Sequence, residues 1–177
     1  MSHKQIPKVL IAEDNPVVRK GLTNFLKKWG YEPIEVENGD DALNILENDF
    51  TIRLSILDWQ LPGLSGLQVC QRMRIRKDGP YVYIIMFSGR KSTEEKILAL
   101  DGGADDYLVK PAKPSELRAR LGVGRRITEM VLKMGNGAAG QQVEPPPQSV
   151  APAPEEDNKS DAESEPLKAP KGDDAAS

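Results

Sequence analysis

Five side chains carry the reactive chemistry of this sequence: Glu13, Asp14, Asp58, Ser88 and Lys110. Each follows a short apolar run. Val9-Leu10-Ile11-Ala12 precedes the acidic pair, Leu54-Ser55-Ile56-Leu57 precedes Asp58, Val82 to Phe87 precedes Ser88-Gly89, and Tyr107-Leu108-Val109 precedes Lys110-Pro111. Three carboxylates brought together repel one another and need a cation to stay ionised. An all-oxygen set completed by water suits Mg2+ or Mn2+, not zinc. A carboxylate can attack phosphorus and become an aspartyl phosphate. A lysine beside it would hold an anionic oxygen, and cation and lysine together would neutralise the phosphoryl oxygens in the transition state. A serine hydroxyl would donate to one of those oxygens once the group arrives.

The elements that must position these groups follow from periodicity. Short continuous apolar runs read as strands buried on both faces, as in parallel sheets. Asn15-Pro16 reads as a helix cap followed by proline in the first turn. Val18, Leu22, Phe25, Leu26 and Trp29 then repeat at helical spacing up to Gly30. Pro33 to Val36 is a second strand, Asn38-Gly39 a turn, and Ala42 to Leu46 a second helix. After the third strand and a loop formed by Pro62-Gly63 and Ser65-Gly66, Leu67, Cys70 and Met73 mark a third helix. Ser92 caps a fourth helix through Ile97, Leu98 and Leu100. Ser115 caps a fifth through Leu117, Leu121, Ile127, Val131 and Met134, with Gly122 and Gly124 counting against it mid-helix. Strand and helix alternate five times. The fold class is therefore α/β, a doubly wound five-stranded parallel sheet with helices on both faces. Ligand sites of such sheets lie beyond the carboxyl ends of the strands, where the five side chains fall.

Composition bounds the rest. The chain has 177 residues and a net charge of −3. The last 37 hold three basic and nine acidic residues, so they carry −6 and the first 140 carry +3. Half of the 14 prolines lie in that tail and none of the nine aromatics does. The expected organisation is one domain over 1–134 with an extended fifth helix, then a disordered acidic, Pro-rich tail over 135–177. A single cysteine, Cys70, excludes an internal disulfide and reads as inert packing. A single histidine, His3, near the N-terminus, leaves no His/Cys zinc cluster and no Ser-His-Asp site. No apolar run approaches the roughly 20 residues of a membrane span, and no secretory signal is visible, so the expected location is cytoplasmic with no membrane partner.

At these residues the chain resembles the receiver domain of two-component response regulators, in the manner of a chemotaxis regulator: a receiver standing alone with an acidic tail. The resemblance covers roughly residues 7 to 132. It rests on Val9 to Asp14, on Leu57 to Gly66, on Phe87-Ser88-Gly89 and on Gly103 to Pro111. It implies a flavodoxin-like fold and assigns roles. Asp58 is the phosphoryl acceptor. Asp14 and Asp58 are direct metal ligands, Glu13 acts through water, and the Gln60 carbonyl is a further ligand. Lys110 is the active-site lysine, its bond to Pro111 is cis, and Ser88 and Tyr107 are the switch pair. Gln60 and Arg90 flank the phosphoryl group. Three positions depart from the common pattern: Glu at 13, Ser at 88 and Leu at 61.

The function so implied is a phosphorylation-dependent switch. A sensor histidine kinase or phosphotransfer protein donates to Asp58, and the domain signals to an output protein by contact. A homodimer through the helix-four to helix-five face is a further expectation. The domain is not an enzyme toward other substrates; it catalyses only its own phosphorylation and dephosphorylation. Each residue alone has an ordinary reading: Asp58 as a turn residue, Lys110 as a loop lysine, Tyr107 as a half-buried strand aromatic, Trp59 as a partly exposed aromatic beside the site. Arg118, Arg120, Arg125 and Arg126 read as a solvated face, not a nucleic-acid surface. A haloacid-dehalogenase-type phosphatase would need an acid where Gln60 stands. A flavodoxin-like cofactor binder would find Glu13-Asp14 repelling its phosphate. A scaffolding pseudo-receiver would not need the five-residue site intact.

Overall fold

The computed structural model describes residues 6–135. Its elements are β1 (Lys8–Ala12), α1 (Pro16–Lys28), β2 (Glu32–Val36), α2 (Gly39–Asn48), β3 (Ile52–Leu57), α3 (Gly66–Ile75), β4 (Tyr83–Ser88), α4 (Thr93–Asp101), β5 (Asp106–Val109) and α5 (Pro114–Gly135). The sheet is parallel throughout, in the order β2-β1-β3-β4-β5. The order reverses between β1 and β3, which makes their carboxyl ends the crevice where ligands of this architecture bind. The expected tail lies outside the described residues.

Alternation along each strand builds two cores. Val9, Ile11, Leu54, Ile56, Ile85 and Leu108 face one way and pack under Leu22 and Leu26 of α1 and Leu117 and Leu121 of α5. Leu10, Ala12, Leu57, Ile84 and Met86 face the other way, under α2, α3 and Ala99 of α4. Cys70 is fully buried in that second core, and burial pushes its thiol up to about 11. Asn15 caps α1 as the sequence predicts, its side chain accepting from the amides of Val17 and Val18.

Several details differ from the sequence reading. Asn38 is the cap of α2, with its side chain accepting from the Asp41 amide, so Asn38-Gly39 opens a helix as well as ending a strand. Ser65 forms a capping box with Gln68 and starts α3. Ser115 is not a cap: Pro114, whose missing N–H costs nothing in a first turn, already opens α5. On α4 the buried residue is Ala99, and Ile97, Leu98 and Leu100 are each about half exposed. Gly122 and Gly124 do not interrupt α5. A Cβ on Gly124 would come within 2.4 Å of Cδ1 of the buried Tyr83 ring, so this glycine lets the helix approach β4. Gly124→Ala should therefore destabilise the domain. Overpacking costs about 1–3 kcal/mol, and helix propensity returns about 1. A lower urea midpoint is the expected reading, and an unchanged one would show that Tyr83 moves aside freely.

At the opposite end of the sheet from the site, Lys8 of β1 pairs with Asp49 at 3.0 Å. The Asp49 carboxylate also accepts from the Thr51 hydroxyl and amide, and these bonds with Lys8 bring its pKa down to about 2. A carboxylate lowered in the folded state contributes stability above its unfolded pKa and loses it as pH falls through the folded one. Wild type should thus lose stability between about pH 4 and pH 2 that Asp49→Asn does not. The difference should stay below about 1 kcal/mol, because the pair is partly solvated. Unfolding midpoints of the two proteins across that window check it.

Candidate functional site

Backbone hydrogen bonds that continue the sheet set the reactive residues in place. The Asp58 amide donates to the Ala12 carbonyl at 2.9 Å, the Glu13 amide to Val36 at 3.2 Å, and the Lys110 amide to Ser88 at 2.8 Å. Each of these three residues is thus tied to the end of a neighbouring strand. The Lys110–Pro111 bond is cis. Gly66 packs under the site, where a Cβ would come within 2.0 Å of the Asp58 carbonyl oxygen. Its amide closes the loop by donating to Trp59 at 3.1 Å.

The Lys110 ammonium donates to Glu13 Oε2 at 2.5 Å and to Asp58 Oδ2 at 2.8 Å. It spans 97 and 52 residues of sequence to do so. Asp58 Oδ1 accepts from the Gln60 amide at 3.3 Å. Glu13, Asp14 and Asp58 each offer a carboxylate oxygen within 4.8 Å of the others. Glu13 and Asp58 are buried and Asp14 is exposed, so the cluster is walled on one side and open on the other. Burial raises the Glu13 pKa, opposed by Lys110 and reinforced by the Asp58 charge. A buried carboxylate whose charge is disfavoured, beside two more, is what an added divalent cation would relieve. The donor set is all oxygen and contains no histidine or thiolate, which fits a hard cation.

Of the residues singled out in the sequence, Glu13, Asp14, Asp58, Gln60 and Lys110 come together directly. Ser88 is buried at the end of β4, and its hydroxyl accepts from the Arg90 amide at 3.2 Å. Tyr107 is more buried than a half-exposed strand aromatic. Its hydroxyl donates to the Arg90 carbonyl at 2.9 Å, and burial is the main cause of its raised pKa. Trp59 is also buried, contrary to the sequence reading, because the Arg90 guanidinium covers its ring at 5.2 Å. Sequence reasoning missed Arg19. Its guanidinium donates to the Glu13 and Asp14 carbonyls at 2.7 and 3.2 Å and pairs with Glu37 at 2.5 Å, so it braces the acidic turn from α1. An arginine one turn into a helix that follows an acidic pair was the available signal. Of the four arginines of α5 read as a solvated face, Arg120 instead bridges Asp106 of β5 and Glu116.

Residues 9–122 match the family model of the response regulator receiver domain, and the chain belongs to that family. It therefore carries the module of two-component signalling that is phosphorylated on an aspartate. Among curated proteins it is 35% identical over 127 residues to the phosphate regulon transcriptional regulatory protein PhoB of Escherichia coli, covering 71% of this chain and 55% of that one. The chain thus spans about half the length of this relative. Among solved structures it resembles the BeF3-activated N-terminal receiver domain of Klebsiella pneumoniae RstA, with 31% identity, a TM-score of 0.60, and 66% and 97% of the two chains covered. It also resembles the receiver domain of the sensor histidine kinase PA1611 of Pseudomonas aeruginosa, which has a magnesium ion coordinated in its active-site cleft. There the identity is 28%, the TM-score 0.61, and the coverage 69% and 97%. PhoB is by name a transcriptional regulator, which leaves the expectation of no direct nucleic-acid contact without support. No described helix is long and apolar enough to cross a membrane.

Proposed function

We propose that Asp58 is the phosphoryl acceptor of this receiver. The observation that carries the reading is the double pairing of Lys110 with Glu13 and Asp58, with Asp14 completing the carboxylate cluster. The donor is a sensor histidine kinase or a phosphotransfer protein. An Asp58 carboxylate oxygen attacks the phosphorus of its phosphohistidine, the phosphorus–oxygen bond forms, and the phosphorus–nitrogen bond breaks. The imidazole nitrogen leaves with the bonding electron pair. Lys110 holds Asp58 in position and then accepts a share of the charge on the phosphoryl oxygens. Glu13, Asp14, Asp58 and the Gln60 carbonyl would hold Mg2+ or Mn2+, and a cation bound there supplies charge neutralisation for the incoming phosphoryl group. Beside Lys110 an apolar groove runs between α1 and α5, lined in part by Val18, Gly21, Phe25 and Pro111, and it supplies contact area for the donor.

Ser88 and Tyr107 form the switch. The phosphoryl group offers the Ser88 hydroxyl a new acceptor, and the Tyr107 hydroxyl already seats on the same loop. The output surface is the face of α4, β5 and α5, where Ile97, Leu98 and Leu100 are exposed. It serves an output protein or a second copy of the chain. The domain acts in the cytoplasm and catalyses only its own phosphorylation and dephosphorylation. Acetyl phosphate with Mg2+ should add one phosphoryl group to the chain. Reductive trapping and peptide mapping should place it on Asp58. A label on any other residue would overturn the assignment.

A further inference from the structure

Arg90 has more connections than the switch pair alone requires. Its amide donates to Ser88 Oγ and its carbonyl accepts from Tyr107. Its guanidinium lies 5.2 Å from the ring centre of Trp59, the residue after Asp58. Nη1 pairs with Glu95 in the first turn of α4 at 2.5 Å. That same Glu95 carboxylate accepts from the hydroxyl of Ser92, the α4 cap, whose oxygen in turn accepts the Glu95 amide. The Arg90 Nε is buried and has no hydrogen-bond partner.

We propose that Arg90 is a positioning residue of the phosphoryl site: a cation held over Trp59 by Glu95 that re-pairs with the anion on Asp58 and thereby releases the first turn of α4. The inference rests on the reading of Asp58 as acceptor. A guanidinium stays charged at any accessible pH and presents a planar fork of donors suited to phosphate oxygens. In the free domain it has one carboxylate partner, one aromatic face and one donor left unpaired in a buried position. An unpaired buried N–H is costly, so this arrangement is one the molecule can leave when a better acceptor appears. A phosphoryl group on Asp58 is that acceptor, with up to two negative charges and three oxygens. Arg90 and Ser88 share the loop after β4, so movement of Ser88 toward the group carries the Arg90 backbone with it. Glu95 is then left without its guanidinium at the start of α4. The state of Asp58 reaches α4 through a side chain as well as through the Ser88–Tyr107 pair.

The test uses the full chain with Trp29→Phe, so that Trp59 is its one tryptophan. Beryllofluoride with Mg2+ stands in for the phosphoryl group, and acetyl phosphate followed by intact mass reports the chemistry. Beryllofluoride should change Trp59 emission in the parent chain. It should also speed amide exchange at Glu95 and Lys96. In Arg90→Met the emission change should fall by more than half, and the exchange rates should no longer respond. Glu95→Gln removes the same pair from the other end. Its emission before addition should already lie toward the beryllofluoride-bound parent, and it decides the matter if Arg90→Met does not fold. A full-sized response in both variants overturns the proposal. So does a parent that gains a phosphoryl mass without a change in Trp59. A parent that gains neither sinks the Asp58 assignment beneath it.

Discussion

Replacing Lys110 with methionine should slow phosphorylation of Asp58 by about a hundred- to a thousandfold. Methionine keeps most of the unbranched stem and removes the charge. The loss corresponds to one preorganised donor on the developing negative charge, about 2.7–4 kcal/mol. The rate is read as phosphoryl mass gained against time in acetyl phosphate and Mg2+. The same substitution should lower stability without Mg2+. Glu13 and Asp58 would then face each other buried and without a counter-charge, and breaking a buried pair of this kind costs about 3–5 kcal/mol. The lower end applies, since the lysine side chain keeps 19% exposure and solvent reaches it. Mg2+ should restore much of this stability without restoring the rate. A variant that reacts at the wild-type rate would remove Lys110 from the mechanism.

The second large effect is a reversal of sign with Mg2+. Burial holds the Glu13 pKa above its ordinary 4.5. The folded state therefore binds that proton more tightly than the unfolded one. Stability associated with Glu13 is present below about pH 4.5 and is lost as pH rises through the folded pKa. At neutral pH the charged carboxylate is a net cost, so Glu13→Gln should raise the unfolding midpoint in chelator. In excess Mg2+ the order should invert. A cation at 100 times its dissociation constant stabilises wild type by about 2.7 kcal/mol, and the variant, lacking one charge of the cluster, gains less. Asp14→Ala offers the cleaner control, because Asp14 is exposed and its loss disturbs little packing. Its Mg2+ affinity should fall at least about tenfold, or about 1.4 kcal/mol. Thermal unfolding with and without Mg2+ measures all three proteins. Equal gains across them would show that the ion binds elsewhere.

Legibility in the sequence tracked the range of the interaction that decides each feature. The strands and the α1 cap were readable because their causes are local: continuous apolar runs, and an asparagine followed by proline. The meeting of Glu13, Asp14, Asp58 and Lys110 was readable because each follows a strand, and strand ends of a parallel sheet converge. What sequence could not show was set by tertiary neighbours. Trp59 looked exposed because nothing near it in the chain covers it; Arg90, 31 positions on, does. Ile97, Leu98 and Leu100 marked the fourth helix in the sequence but not its buried side, and only the narrow Ala99 side of α4 meets the sheet. Gly124 looked like a weak point of α5 and is where Tyr83 needs room. Arg120 looked like surface charge and Arg19 gave no reading at all, because their pairing with Asp106 and Glu37 depends on how helices lie against strand ends.

Cys70 gives the chain a built-in clock for its own opening. It is the single thiol in the sequence, it is fully buried, and its pKa of about 11 keeps it protonated at neutral pH. A thiol reagent attacks the thiolate and needs access to it, so the native domain should be silent toward such reagents. Modification then proceeds only through states in which α3 leaves the sheet, and its rate reports the population of those states. The carboxylate cluster adjoins the same core through Leu57 and Trp59, and the phosphorylation and cation binding proposed there would act on it. Their influence on the whole domain therefore becomes a measurable reaction rate at one sulfur atom, with no label added to the protein.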